Sequence, residues 1–258
     1  MPLGARFKSK RDLRLLSMKA VLFDLGHTLI DYHNDWREPE RRAVESVAAM
    51  VLERCTNGVR KEDVSTYLLE LLEQGRRKKS TEFVEIPLES VLNDCFQRFL
   101  VEHDEDLIEI GLEAFYGVLQ ERRKIVPGTV EMLEMVQDQR FSIGLVSDVA
   151  WGLPSYFPLK DIRYYGLEGF FDDMVFSTDV GLRKPNPRIF KIALFNIGAT
   201  AEETIFVGNN LQADIKGALD VGMRTVLKKS DFYIHDNSIV PTFKIDNWPD
   251  FEDILRRI

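Results

Sequence analysis

Four short segments of the chain carry side chains suited to chemistry at phosphorus or carbon. They read Phe23-Asp24-Leu25-Gly26-His27-Thr28-Leu29, then Leu145-Val146-Ser147-Asp148, then Gly181-Leu182-Arg183-Lys184-Pro185-Asn186-Pro187, and last Phe206-Val207-Gly208-Asn209-Asn210 with Asp214 following. A carboxylate such as Asp24 can attack an electrophilic centre and carry a covalent intermediate. The hydroxyl of Ser147 and the ammonium of Lys184 together suit a phosphoryl group. A second acid, Asp214, can complete a site for Mg2+, which takes a few carboxylates and otherwise keeps water and substrate oxygens. Each residue also has an ordinary reading. Asp24 is then a turn acid, Ser147 part of Ser-Asp turn chemistry, Lys184 a surface lysine, Asp214 a helix cap and Asn210 loop structure.

The position of these segments in the chain favours the chemical reading. Residues 19–24 (KAVLFD) form a short apolar run that predicts a strand covered on both faces, hence parallel. Residues 141–146, 174–177, 204–207 and 224–227 predict further strands, separated by helical patterns over 129–137, 187–196 and 212–221. Asn186-Pro187 supplies an N-cap with proline at the first helical position, and Thr200-Ala201-Glu202-Glu203 has the form of a capping box. Strands alternating with helices imply a parallel sheet with helices on both faces, and ligands of such sheets sit beyond the carboxyl ends of the strands. The four segments fall there. Between about residues 38 and 123 the apolar spacing is helical throughout, as in Val44, Val47, Ala48 and Val51, which predicts an inserted domain of three to five helices. Residues 228–247 carry the weakest pattern.

In order and spacing the four segments resemble the motifs of the haloacid dehalogenase (HAD) superfamily, over about residues 18–227; GLRKPNPRIF and VGNNLQADIKGA carry most of the likeness. The resemblance implies an α/β fold: a Rossmann-like three-layer core with a parallel sheet, from residues 18–34 and 124–258, and an all-helical cap over 35–123. It implies a phosphatase that cleaves a small phosphorylated metabolite through an aspartyl-phosphate, with Mg2+ as cofactor. Asp24 would be the nucleophile, with Ser147 and Lys184 holding the phosphoryl oxygens. Asp24, the Gly26 carbonyl, Asn209 and Asp214 would surround the metal. Gly26, His27, Thr28, Ser147, Asp148 and Lys184 would lie around the substrate.

Two positions depart from the family pattern. Gly26 stands where family phosphatases place the aspartate that acts as general acid and base, and Asn209 replaces an acid. General acid–base catalysis is worth about 10²–10⁴-fold, so activity is expected to be weak, and least impaired for good leaving groups such as acyl or aryl phosphates. Histidine is the side chain whose ordinary pKa lies near neutrality, which makes His27 a candidate replacement base. Two rival readings follow. One is a 2-haloacid dehalogenase or a phosphonatase-like hydrolase, the latter requiring a cap lysine; Lys61 is one such lysine. The other is a binding or regulatory protein that kept the fold and lost efficient chemistry.

Composition narrows the field. The 258 residues hold 34 Lys+Arg against 42 Asp+Glu, a net charge of −8 that argues against nucleic acid as a partner. No run approaches the roughly 20 apolar residues of a membrane helix. Two cysteines, Cys55 and Cys95, suit a reducing cytoplasm. Residues 1–17 read as a basic leader, an exposed tail or the product of an upstream start codon, with a targeting peptide as the less favoured reading. The run Arg76-Arg77-Lys78-Lys79 reads as a solvated loop; Trp36, Tyr67 and Phe83 read as helix packing. A separate metal site at His27, Asp31, His33 and Asp35 is not favoured. The sequence leaves the oligomeric state and the substrate open.

Overall fold

The structure is a computed structural model that describes residues 18–55, 58–99, 105–233 and 238–257; the expected basic leader, 1–17, lies outside these. In chain order the elements are β1 (Ala20–Phe23), β2 (Ile30–Asp31), α1 (Arg37–Arg54), α2 (Lys61–Glu82), α3 (Leu88–Arg98), α4 (Glu105–Gln120), β3 (Lys124–Ile125) and α5 (Thr129–Asp138). They continue with β4 (Ser142–Ser147), α6 (Tyr156–Tyr164), β5 (Asp173–Phe176), α7 (Ser177–Val180), α8 (Pro187–Asn196), β6 (Thr204–Gly208), α9 (Gly217–Asp220), β7 (Arg224–Lys228), β8 (Phe243–Ile245) and α10 (Trp248–Leu255).

Six strands form one parallel sheet in the order β5-β4-β1-β6-β7-β8. Period-two alternation sorts the side chains of the central strands onto two faces. Leu22, Val146 and Phe206 pack with Ile189, Phe190 and Ala193 of α8 and Ala218 of α9. Val21, Phe23, Leu145 and Val207 join the opposite cluster, with Leu133 and Val136 of α5, Phe157 and Ile162 of α6 and Phe251 of α10. This is the three-layer α/β architecture the sequence predicts. Each fully buried Phe or Leu contributes roughly 1.5–3 kcal/mol.

Four helices, α1–α4, lie between the short antiparallel strands β2 and β3, where Ile30 pairs with Ile125 and Asp31 with Lys124. Their buried residues follow the expected spacing, Val44, Val47, Ala48 and Val51 on α1 and Leu88, Val91, Leu92, Cys95 and Phe96 on α3. Asn186 caps α8 by accepting from Arg188 N at 3.0 Å, with Pro187 at the first position. The capping box expected at Thr200 does not form. Residues 201–203 make one tight turn, in which Glu203 N–H already donates to the Thr200 carbonyl, and the Thr200 hydroxyl donates to the Glu203 carboxylate instead.

Two joints tie the helical insertion to the sheet domain. At the first, Asp161 of α6 is fully buried and accepts from Tyr32 (2.9 Å), Tyr116 of α4 (2.7 Å) and Arg123 (2.5 Å). Burial and Asp161 together push the Tyr32 hydroxyl well above its ordinary pKa. At the second, residues 83–85 run against 181–183, with Glu85 N donating to Gly181 O and Arg183 N to Phe83 O. Among the described residues no helix is long and apolar enough to cross a membrane.

Removing one partner of a buried ion pair leaves the other charge stranded, at a cost of about 3–5 kcal/mol. Asp161→Ala is therefore expected to lower the thermal midpoint by on the order of 10 °C, read by circular dichroism. A midpoint within about 2 °C of wild type would show that Asp161 does not hold this joint.

Candidate active site

The three side chains on which the chemical reading depends meet beyond the carboxyl ends of β1, β5 and β6. Lys184 Nζ donates to Asp24 Oδ1 at 2.6 Å and to the Val146 carbonyl at 2.9 Å, and it lies 2.7 Å from Asp214 Oδ1 as an ion pair outside hydrogen-bond alignment. All three are buried. Burial opposes the lysine's charge, but Asp214, Asp24 and Asp148 outweigh it and hold the ammonium above its ordinary pKa. Burial, against the pull of Lys184, pushes the Asp214 carboxyl up to about 7.

Local structure fixes each group. Thr28 donates to Asp24 Oδ2 at 2.9 Å and sets the carboxylate's rotation. Thr28 is fully buried and does not line the cavity, so it stands behind Asp24 and not beside a substrate as expected. Asp214 Oδ2 accepts from the backbone of Asn209 (3.1 Å) and Asn210 (2.9 Å). A Cβ on Gly208 would lie 2.4 Å from that oxygen, so this approach requires glycine. Asn210 caps the following turn by accepting from Gln212 N and Ala213 N, the structural role read from the sequence. Asp148 accepts from Lys184 N at 3.0 Å. Ser147, the last residue of β4, lines the cavity.

The two departures from the family pattern take definite form. A Cβ built on Gly26 meets no heavy atom within 4 Å, so the space for a side chain there is open. Asn209 donates from Nδ2 to Ser230 Oγ at 3.1 Å, which leaves its carbonyl oxygen as the acceptor. His27 has a positive φ of 59° and stacks flat on Phe232 at 4.1 Å; its Nδ1 is 3.6 Å from Asp31 and its buried Nε2 has no hydrogen-bond partner. The neighbouring polar residues disperse. His33 bonds the Val118 carbonyl and Asp35 pairs with Arg37, and among the described residues no cluster of three His, Cys, Asp or Glu side chains gathers to hold a metal.

Asp24, Gly26, His27, Ser147, Asp148, Lys184, Asn209 and Asp214 all line one cavity of about 440 Å³, closed on its far side by residues of the helical insertion. Sequence reasoning missed most of that far side. The run 76–79 is not a loop but the last turns of α2, where i,i+3 spacing turns Arg76 and Lys79 into the cavity. Arg76 pairs with Glu40 Oε2 at 2.5 Å, and Trp151 Nε1 donates to the same oxygen at 2.7 Å. Lys79 and Arg183 both pair with buried Glu85, at 2.7 and 2.5 Å, and Ser177 Oγ donates to it as well. Burial lowers the Lys79 pKa against the pull of Glu85. Trp36, read as helix packing, also lines the cavity, whereas Lys61, Tyr67 and Phe83 do not.

The chain has relatives of known name. It is 27% identical over 245 residues to a glyceraldehyde 3-phosphate phosphatase of Methanopyrus kandleri, covering 93% of this chain and 98% of the relative. It is 31% identical over 215 residues to a ribulose-1,5-bisphosphate 5-phosphatase of Halopiger xanaduensis, covering 81% and 83%. Its fold matches that of the HAD-hydrolase YfnB from Bacillus subtilis bound to magnesium, with a TM-score of 0.60 at 24% identity over 93% of this chain and 99% of the other. The family model for haloacid dehalogenase-like hydrolases matches residues 18–222. With the strand-end constellation and the fold in agreement, the chain belongs to the haloacid dehalogenase-like hydrolases.

Proposed function

We propose that this hydrolase is a Mg2+-dependent phosphatase that cleaves a small phosphorylated metabolite through an aspartyl-phosphate at Asp24. The observation that carries the reading is the buried contact of Lys184 with both Asp24 and Asp214 on the floor of the cavity. Asp24, oriented by Thr28 and Lys184, is the nucleophile. Lys184 and Ser147 take the phosphoryl oxygens. Residues 35–123 act as the cap over a core of 18–34 and 124–258, and exclude water as lids do. The protein works in the cytoplasm with a small-molecule partner and neither nucleic acid nor membrane.

The residues present fit the metal. Asp214 Oδ1 is a buried carboxylate oxygen that faces the Lys184 ammonium at 2.7 Å, and every candidate donor is a hard oxygen: Asp24, Asp214, the Gly26 carbonyl and the Asn209 amide. Mg2+ needs only one or two carboxylates beside water and substrate phosphate. When bound it supplies charge neutralisation at the phosphoryl group.

Two outcomes follow. With a panel of phosphate monoesters, Asp24→Asn is expected to reduce kcat by more than roughly 10³-fold; activity that survives removes the covalent mechanism. EDTA is expected to abolish that turnover and Mg2+ to restore it; phosphate release that persists in EDTA removes the Mg2+ dependence, whereas turnover of a 2-haloacid in EDTA points to dehalogenation.

A second reading, phosphonate cleavage, gains one observation. Lys61 lies away from the cavity, but Lys79 lines it with a depressed pKa, the property an imine-forming lysine needs. Borohydride added with a phosphonoaldehyde is expected to leave an adduct on Lys79 if that reading holds. An unmodified Lys79 by mass spectrometry eliminates it.

A further inference from the structure

The cavity restricts which phosphate esters the site can cleave. A leaving alkoxide needs a proton, and the residue that would deliver it is Gly26, beside which the space is open. Of the other lining groups, His27 is stacked flat on Phe232 with its Nε2 buried and its Nδ1 toward Asp31, Asp214 is paired with Lys184, and the remaining carboxylates are engaged as acceptors. Glu40 holds Arg76 and Trp151 Nε1, and Asp148 holds the Lys184 amide with Arg183 3.7 Å away. A substrate is therefore favoured when its leaving oxygen is stable as an anion.

The walls add an independent constraint. Trp36 stands edge-to-face with Trp151 at 5.4 Å and 86°, and with Phe232 at 6.5 Å and 81°. The three make a corner in which a planar ring can stack on one face and meet another edge-on, at the 4.5–7 Å separations aromatic pairs prefer. The corner is rigid, because Glu40 holds Trp151 by its indole N–H and His27 backs Phe232. The three rings themselves offer sugar hydroxyls few partners. The charged groups of the cap side are already paired with one another, Arg76 with Glu40 and Lys79 with Glu85, and a buried hydroxyl without a partner is disfavoured.

Resting on the phosphatase reading above, we propose that the substrate is an aryl phosphate, the phosphate monoester of a phenol, its ring seated in the corner of Trp36, Trp151 and Phe232. An Asp24 oxygen bonds to phosphorus as the bond to the aryl oxygen breaks. The electron pair departs on the aryloxide, which takes its proton from bulk water. Water then adds to phosphorus, the bond to Asp24 breaks and returns the carboxylate, and the water's proton leaves with phosphate or solvent. The net reaction converts an aryl phosphate and water into a phenol and inorganic phosphate.

The test compares kcat/KM of the Mg2+-loaded full chain on four probes that separate leaving group from ring. Phenyl phosphate has both features, acetyl phosphate only the good leaving group, benzyl phosphate only the ring, and glyceraldehyde 3-phosphate neither. Phenyl phosphate is expected to exceed benzyl phosphate and glyceraldehyde 3-phosphate by about 10²–10⁴-fold, the size of a missing general acid. Gly26→Asp is expected to raise the two alkyl esters at least tenfold and narrow that gap. Trp36→Leu is expected to raise KM for phenyl phosphate several-fold more than for acetyl phosphate. Wild-type turnover of either alkyl ester as fast as phenyl phosphate overturns the leaving-group inference and leaves the phosphatase reading standing. Equal KM changes in Trp36→Leu, or acetyl phosphate preferred over phenyl phosphate, overturn the seating of the ring. Failure of all four probes, or turnover that survives Asp24→Asn, removes the phosphatase reading and this inference with it.

Discussion

One buried ammonium serves two carboxylates, and the arrangement of the sheet follows from that demand. Isolated, each of these ions would lose several kcal/mol of hydration; together, Lys184 with Asp24 and Asp214 make a cluster that burial can tolerate. The three come from loops after β5, β1 and β6, and the sheet order sets β4 between the first two. Lys184 must reach across the end of β4 to Asp24, and its bond to the Val146 carbonyl marks the crossing. Strands lie about 4.8 Å apart, so the long lysine stem is what allows a residue two strands away to act beside Asp24. The cluster also stays one positive charge short, which is consistent with an Asp214 carboxyl pushed upward by burial and with a site that a divalent cation would complete.

The core was legible because its signals are local. β1, β4, β5, β6 and β7 are apolar runs that fall within one or two residues of the predicted strands. β8 is three residues long with only Ile245 buried, and β2 and β3 are two residues each, too short to show a period. α10 did leave a trace in the sequence: Asn247 and Asp250 form a capping box with proline inside the first turn. The strand-end residues were legible for the same local reason. The cap residues were not, because charge alone does not say how a helix is rotated. Arg76 and Lys79 face the cavity while Arg77 between them is exposed, and the packing of Val64, Leu68 and Leu72 fixes that rotation.

The helical insertion does more than cover the cavity, because its contacts reach the residue next to Lys184. Glu85 leaves the insertion, pairs along the backbone with Gly181 and holds Arg183 through its side chain. Asp148 holds the amide of Lys184 from the other side. The loop that presents the lysine is thus fixed by one acid from each domain. A substitution that shifts the 83–85 segment would be felt at Asp24 through two links, Arg183 and Lys184, without touching a substrate.

If Gly26 and Asn209 stand in place of acids, as the family resemblance implies, the two changes act in the same electrostatic direction. A phosphate monoester arrives as an anion in a crevice already holding Asp24, Asp214, Asp148 and Glu40. Two further carboxylates would raise the repulsion that Lys184, Arg183, Arg76 and Lys79 must offset, and three of those four are committed to Glu40 or Glu85. On that reading an amide in place of an acid, and open space where another could stand, would relieve that repulsion at the expense of proton delivery. The chemistry then shifts part of its burden from the protein to the substrate. On the proposed reading, what the enzyme does not protonate must be able to leave unprotonated, and the aromatic corner would select a molecule with that property.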